Sequence, residues 1–473
     1  MSQTFSSSTG RNRKAPLAVA SLGELGERTL KKVRLRLLPV VIVLYFLSYL
    51  DRNNVGFAKT SMSANIGLSA TAFGLGAGLF FVGYVLLEIP SNAGMYRFGA
   101  RKWIARILVP WGILAASMSL VTNETGFYVV RTLLGAAEAG FFPAVLFYFT
   151  LWFPAAQRAS ILGFFILAQP VANAIGAPMS GLILNMEGVA GLHGWQWLYI
   201  IEGVPAIILG LLSPLLLTDR PEKAKWLAPD ERNWLVTTMA ADLDSRASKD
   251  KHPFWAGLKD RRALVYALLN FGMVCGIYGL GLWLPTIVAG LGNFSSTELG
   301  LIVFIPYGVA ACFVIWWSRR ADRTGRRAWH ASVSLITAAV GLLGAGLLLP
   351  VNAYLSLALL TVAAVGIYTA IAPLLSMPSA VFAGAAAAAG LGLVNALGNV
   401  GGFVSPFIVG LLDDATGNNQ VGLLFLAACL AITGVAAYLY ARNRPEGDTR
   451  LAEDATVGDT AAHAESHQEK VTS

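Results

Sequence analysis

Tyr45-Phe-Leu-Ser-Tyr-Leu-Asp51-Arg52-Asn-Asn54 begins as apolar helix and then sets an acid beside a base. No charge interrupts residues 37–50 upstream of it. About 20 apolar residues cross about 30 Å of hydrocarbon as helix. A charge near the centre of such a span costs roughly 2.5–3.5 kcal/mol on insertion scales. The Asp51-Arg52 pair therefore reads as functional, and the rest of the chain can be tested against that reading.

The same apolar pattern recurs along the chain. Of the 473 residues 55% are hydrophobic and 13% charged, about half the charge of a soluble domain. The fold class expected is an all-α polytopic membrane protein of 12 transmembrane helices in two six-helix bundles. The spans fall near 34–58, 71–93, 103–122, 125–149, 159–185 and 196–217, then near 263–287, 297–318, 329–349, 353–375, 385–411 and 420–441. The organisation expected is a disordered cytoplasmic tail over 1–33, a first bundle over 34–217, a cytoplasmic, solvated linker over 218–262, a second bundle over 263–441 and a cytoplasmic tail over 442–473. The first apolar run ends in Asp-Arg-Asn-Asn, with no small-residue cleavage site, so no cleavable signal peptide is expected.

Lys and Arg concentrate in the N-terminal tail, the central linker and alternate loops, whereas the remaining loops hold only Lys59. That asymmetry puts both termini in the cytoplasm. The net charge of +8 is confined to these loops, so no nucleic acid is expected as partner. Cys275, Cys312 and Cys429 lie in apolar runs without metal-like spacing and read as packing residues. No metal site is expected; His463 and His467 stand in the C-terminal tail. The Asn123 and Asn293 glycosylation patterns lie in very short loops and are set aside.

The two halves repeat. Tyr96-Arg-Phe-Gly99-Ala-Arg101-Lys102 follows the second span, and Asp322-Arg323-Thr-Gly325-Arg326-Arg327 follows the eighth. Two six-helix repeats around a midplane cavity form a transporter architecture.

Intramembrane charges read from the sequence are Asp51, Arg52, Glu88, Arg106, Arg131, Glu138 and Glu202, all in the first half. At 1.5 Å per residue, Arg52 lies about 24 Å along its span, and Arg131 and Glu138 about 9 and 20 Å into theirs from the opposite side. Arg52 and Arg131 are thus expected at similar depth, where guanidinium forks receive carboxylates. Asp51 is either a proton carrier or simply the partner of Arg52. A structural ion-pair network through Arg131 and Glu138 is the alternative for the cluster. Glu88 and Glu202 read as caps or gates, and Arg106 as facing headgroups. Tyr49, Tyr84, Gln169, Asn270, Tyr278, Ser376, Asn395 and Asn399 are candidates to shape the cavity, the alternative for each being an ordinary interhelical hydrogen bond; that alternative is favoured for Asn395, and packing is favoured for Tyr278.

The Asp-Arg-x-Gly-Arg-Arg loop resembles the signature of the major facilitator superfamily, intact in its second copy and with Tyr96 in place of the acid in its first. The resemblance covers about 34–441. Tyr49-Leu-Asp51-Arg52-x-Asn54, Phe80-Phe-Val-Gly83-Tyr84 to Asn92, Arg131 to Pro143, Trp152-Phe-Pro154 and Trp195 to Gly203 resemble that family's anion:cation symporters, notably the tartrate, phthalate, aromatic-acid and sugar-acid permeases.

The resemblance implies substrate binding by Arg52, Arg131, Tyr84, Ser376 and Asn399, and proton coupling by Asp51 and Glu138; Tyr49 and Gln169 join the substrate-binding set as polar residues of the expected cavity. Asp322, Arg323, Gly325, Arg326 and Arg327 read as a gating latch that stabilises the outward-facing state, with positive charge that sets topology alone as the alternative. The function expected is proton-coupled uptake of a small organic anion, with a co-transported proton and no other cofactor. The expected setting is the lipid bilayer of a bacterial inner membrane, and the protein is expected to act as a monomer. An exporter or facilitator of the same fold is the alternative, and a substrate sensor a more distant one. The spans hold no Cys pair and no Ser nucleophile with a recognisable base, so an enzyme is not expected.

Overall fold

A computed structural model describes residues 23–247, 260–381 and 384–443. The first half contains α1 (Glu24–Ile66), α2 (Ala70–Phe98), α3 (Ala100–Ser117), α4 (Glu124–Glu138), α5 (Phe141–Trp152), α6 (Ala155–Leu184) and α7 (Gly194–Leu216). A connecting helix α8 (Pro229–Ala247) follows. The second half contains α9 (Arg261–Ala289), α10 (Ser296–Thr324), α11 (Arg327–Leu348), α12 (Ala353–Val381), α13 (Gly384–Thr416) and α14 (Gln420–Asn443). Twelve segments are long and apolar enough to cross a membrane, with α4 and α5 together forming one of them. The side carrying the start of α1 and the end of α14 is called the basic side, and the opposite one the far side.

The ends of these helices follow local chemistry. Gly67 closes α1 in the left-handed region (φ 73°), its N–H bonding the Ser63 carbonyl at 3.0 Å. The Ser69 hydroxyl then accepts the Ala72 N–H at 3.1 Å to start α2. Asn123 and Ser295, each part of a glycosylation pattern, cap α4 and α10 with their own side chains.

α1 starts ten residues earlier than expected and ends eight later. Residues 24–33, expected within a disordered tail, are helical. Leu30, Val33 and Leu37 recur at helical spacing and are buried, and Glu24 and Glu27 favour the helix start. The linker is likewise not solvated throughout. Trp226 stacks on Trp152 at 5.7 Å between ring centres, and Leu227, Leu235 and Met239 are buried. Glu231 of α8 has a fully buried side chain that accepts from Lys32 at 2.6 Å and pairs with Arg28 at 3.2 Å. The Lys32 ammonium is the main cause holding the Glu231 carboxyl below the usual range. At the other end of α8, Asp242 pairs with Arg158 and accepts the Ala155 N–H that opens α6.

α8 is thus fastened to the first half at both ends. Glu231→Ala should loosen it by on the order of 1 kcal/mol, since both cationic partners are partly exposed. Hydrogen exchange should then be about fivefold faster across α8 and the first two turns of α1, with the spans unchanged.

Among the described residues the two halves meet mainly along three helix pairs, α1 with α9, α2 with α13 and α6 with α10, with a lesser contact of α6 with α12. In span number the three are 1 with 7, 2 with 11 and 5 with 8. Exchange of the halves maps 2·11 onto 8·5, so the interface obeys the two-fold relation that the repeated loop suggests. Among the described residues, the tightest approaches across this interface lie in its far-side half, including Gly56 against the Leu282 carbonyl and Gly300 against Ala177. The halves are closed on the far side.

Candidate functional site

The cavity of interest lies between the halves near the middle of the spans. It holds about 110 Å³ and is walled by Tyr45, Tyr49 and Arg52 of α1, Tyr84 of α2, Phe141 and Phe142 of α5 and Gln169 of α6. From the second half come Asn270 and Tyr278 of α9, Leu375 of α12 and Asn395 and Asn399 of α13. Residues 45, 49 and 52 share a face of α1 at four- and three-residue spacing, which turns all three side chains inward.

Arg52 is the only cation in this wall. Its Nε donates to Glu138 Oε1 at 2.9 Å, its Nη2 lies 2.7 Å from the same oxygen in an ion-pair contact, and its Nη1 donates to the Tyr278 hydroxyl at 2.9 Å. Tyr49, Tyr84 and Phe80 surround the guanidinium with ring centres 5.4, 5.1 and 5.3 Å away. Such rings stabilise a cation without neutralising it. Glu138 Oε1 also accepts from Ser48, one helical turn before Arg52. Oε2 of the same carboxyl is buried and makes no hydrogen bond among the described residues.

The backbone places Glu138 at the end of a helix. α4 stops there, Ala139 is extended, and Gly140 takes a left-handed conformation (φ 84°) before α5 begins. The Ser91 hydroxyl donates to the buried Ala139 carbonyl at 2.7 Å and itself accepts from the Trp103 indole at 3.0 Å. α4 reaches this position because Gly135 lies directly against the Phe80 carbonyl and Gly83 against that of Thr132, leaving no room for a side chain at either. Gly135→Val should push α4 off α2, cost about 3 kcal/mol or more, and lower the detergent melting temperature well beyond the effect of Gly163→Val. Gly163 has open space around its Cβ position.

Asp51 does not pair with Arg52. Adjacent residues on a helix point about 100° apart, and Asp51 faces α3, where Trp111 Nε1 donates to it at 2.8 Å. Asn54 donates to its other oxygen at 3.4 Å. The reading of Asp51 as the partner of Arg52 is therefore replaced by Glu138 in that role. Arg131 is 1% exposed and absent from the cavity wall. It lies on the same Phe80 ring as Arg52, 5.0 Å from its centre, and Nη2 approaches the Ala77 carbonyl at 3.5 Å. Its Nε and Nη1 have no hydrogen-bond partner among the described residues. The α4–α2 packing that buries Arg131 also keeps it from the cavity.

Tyr49, Tyr84, Gln169 and Asn399 reach the wall, but Ser376 does not; its hydroxyl bonds back to the Pro373 carbonyl at 2.8 Å. Tyr278, read as a packing residue, instead accepts from Arg52 across the halves, whereas Asn395 makes the interhelical hydrogen bond expected of it, donating to Glu88 at 2.5 Å. Glu202 is buried and accepts from Ser180 at 3.3 Å. Arg106 lies over Trp103 at 4.6 Å.

In the last turn of α10, Asp322 faces Arg327 at 3.7 Å and is largely exposed. Gly325 takes the left-handed turn that ends α10 (φ 67°). No other contact of Asp322 joins it to a neighbouring helix among the described residues.

Lys59 and Tyr278 are the residues that the sequence underrated. Lys59 read as part of a loop because the apolar run falters there, yet α1 continues to Ile66 and buries it. The signal available was its spacing, seven residues after Arg52.

Twelve spans in two facing halves and a central polar cavity define a secondary transporter. The chain belongs to the Major Facilitator Superfamily, whose family model matches residues 41–293 and 291–467. A protein of Agrobacterium vitis named "Putative tartrate transporter" is 44% identical over 431 residues, 91% of this chain and 95% of that one. A "Quinolone resistance transporter" of Acinetobacter baumannii is 42% identical over 413 residues, 87% of this chain and 94% of that one. Relatives of this kind agree with the branch that the motifs indicate. Among solved structures, a bacterial homologue of the human lysosomal transporter Spinster, inward-facing and unoccupied, superposes with a TM-score of 0.68. It shares 17% identity over 88% of this chain and 97% of that one, a likeness of fold alone.

Proposed function

We propose that this transporter takes up a small organic anion together with protons by alternating access. The cargo class is a tartrate-like hydroxy-dicarboxylate, a sugar acid or an aromatic carboxylate. The observation that carries this reading is the ion pair of Arg52 with a single oxygen of Glu138 at the cavity wall, a hydrogen bond from Nε and a 2.7 Å contact from Nη2. A carboxylate of the cargo and the carboxylate of Glu138 compete for one guanidinium. A proton on the unbonded Oε2 removes the Glu138 charge and releases Arg52 to the cargo. Loss of that proton returns Arg52 to Glu138 and expels the anion. Proton and anion then travel in the same direction.

Tyr278 ties the exchange to the second half, because its hydroxyl accepts from Arg52 and keeps its own proton to donate to a bound carboxylate. Asn399 and Gln169 supply neutral hydrogen-bonding groups for cargo hydroxyls. Asp51, beside Trp111, acts as a second proton site, and Arg131 acts on the cluster through charge. The excess of Lys and Arg on the basic side supports placing both termini in the cytoplasm of a bacterial inner membrane, with the monomer as the working unit. Proteoliposomes holding the full chain should accumulate radiolabelled L-tartrate under an inwardly directed proton gradient and lose that accumulation on addition of a protonophore. Uptake indifferent to the protonophore would refute the coupling.

Export of an aromatic carboxylate is the second reading, favoured by the relative named for quinolone resistance and by the six aromatic side chains of the wall. Norfloxacin efflux from loaded vesicles, with no tartrate uptake, would select it.

A further inference from the structure

Lys59 carries a charge into the far-side closure of the two halves. Its ammonium lies 3.5 Å from the ring centre of Trp283 on α9 and 3.7 Å from Asp413 Oδ2 on α13. Its side chain is 8% exposed. The adjacent Asp414 accepts the Ala70 and Thr71 N–H groups at 3.0 and 2.7 Å, so one acidic pair of α13 holds the end of α1 and the start of α2 together.

Closure does not need this charge. The neighbouring approaches are neutral and backbone-close, as at Gly56 against Leu282 and Gly300 against Ala177, and a buried ammonium is costly. Lys59 follows Arg52 by seven residues, which puts both on one face of α1 about 10.5 Å apart. Both also face α9, Arg52 at Tyr278 and Lys59 at Trp283. When α1 parts from α9 and α13, Lys59 loses Asp413 and the Trp283 ring together. It keeps the Phe73 ring of α2, 5.6 Å away, which does not neutralise it, and stands without an acid above Arg52 in the opened cleft.

We propose that Lys59 is a switched cation at the far-side entrance, neutralised by Asp413 while the halves are closed there and presented to the entering carboxylate when they part. The proposal rests on the organic-anion reading above. A cation at the mouth of a narrow low-dielectric cleft concentrates anions and speeds their capture.

The test measures local charge without relying on any cargo. The full chain carries Cys275→Ser, Cys312→Ser, Cys429→Ser and Phe57→Cys, the last lying two residues before Lys59. In nanodiscs this protein reacts with anionic sulfonatoethyl and cationic trimethylammonioethyl methanethiosulfonates. Asp413→Asn should raise both rates at least about threefold by weakening the clasp. Adding Lys59→Gln should lower the anionic-to-cationic rate ratio at least about fivefold, an effect that shrinks in about 0.5 M salt. Lys59→Arg should keep the ratio and Lys59→Met should lower it, which preserves the comparison if the Gln variant does not fold. A ratio indifferent to the charge at position 59, or rates indifferent to Asp413→Asn, would overturn the proposal. A protein that shows the expected ratios but takes up no tartrate would leave the switch standing and refute the cargo reading instead.

Discussion

Arg52→Lys should abolish gradient-driven tartrate uptake, lowering the initial rate at least about 100-fold while leaving folding and membrane insertion intact. The guanidinium serves Glu138 with two nitrogens and Tyr278 with a third. A lysine ammonium keeps the charge but is a point donor on a differently shaped stem and cannot meet both partners at once. Hydrogen bonds to charged groups contribute about 1.5–3 kcal/mol each, and about 1.4 kcal/mol is tenfold in an equilibrium. Two misplaced bonds therefore suffice for the stated loss. The three surrounding rings would still hold a cation, so the melting temperature should change little. Initial-rate uptake and thermal unfolding of the same preparation separate the two effects, and near-normal uptake would remove Arg52 from the anion site.

Glu138→Gln should separate transport from its energy source. The amide retains an oxygen for Arg52 and Ser48, so the geometry at Oε1 survives, but the side chain no longer takes up or releases a proton. Accumulation should fall to about the equilibrium ratio of one, because the cargo is no longer linked to the gradient. Counterflow of tartrate between equal internal and external pools should persist. The buried Arg52 loses its counter-charge, a change that typically costs about 3–5 kcal/mol in a dry interior, although an arriving carboxylate restores it. Tartrate should accordingly stabilise this variant against heat more than it stabilises the unsubstituted protein. Normal accumulation would move the coupling site elsewhere, with Asp51 the first alternative.

Much of the architecture is legible in the sequence because crossing a bilayer imposes a length and a composition on every span. The alternation of basic loops and the repeated Asp322 loop then point to two related halves. What the sequence does not disclose is helix rotation. Asp51 and Arg52 are neighbours in the chain, yet one faces Trp111 and the other Glu138, a distinction decided by how α1 is turned as it packs against α6, α7 and α9. Arg131 matches Arg52 in depth but is turned into the α2–α4 seam by the close approach at Gly135. Lys59 and Tyr278 were underrated for a related reason: their partners lie in the opposite half of the chain, over 200 residues away, and no local pattern marks such a pair. α8 was misread because Glu231 is buried only once the start of α1 has folded against it.

The concentration of Asp51, Arg52, Arg131 and Glu138 in one half, while the other offers the cavity neutral Asn270, Asn399 and Leu375, also bears on how this protein can diversify. In the proposed mechanism the charge exchange belongs to one inherited unit, and much of the neutral wall around the cargo to the other. Substitutions at Asn270, Asn399 and Leu375 alter the shape and hydrogen bonding offered to a cargo without touching the Arg52–Glu138 exchange. Asn395 stands apart from these three, since its amide holds Glu88 across the interface. A combinatorial library restricted to the three positions should therefore yield variants that prefer different acids while keeping the same dependence on the gradient, whereas an equally large library on the α1 face should yield mostly inactive ones.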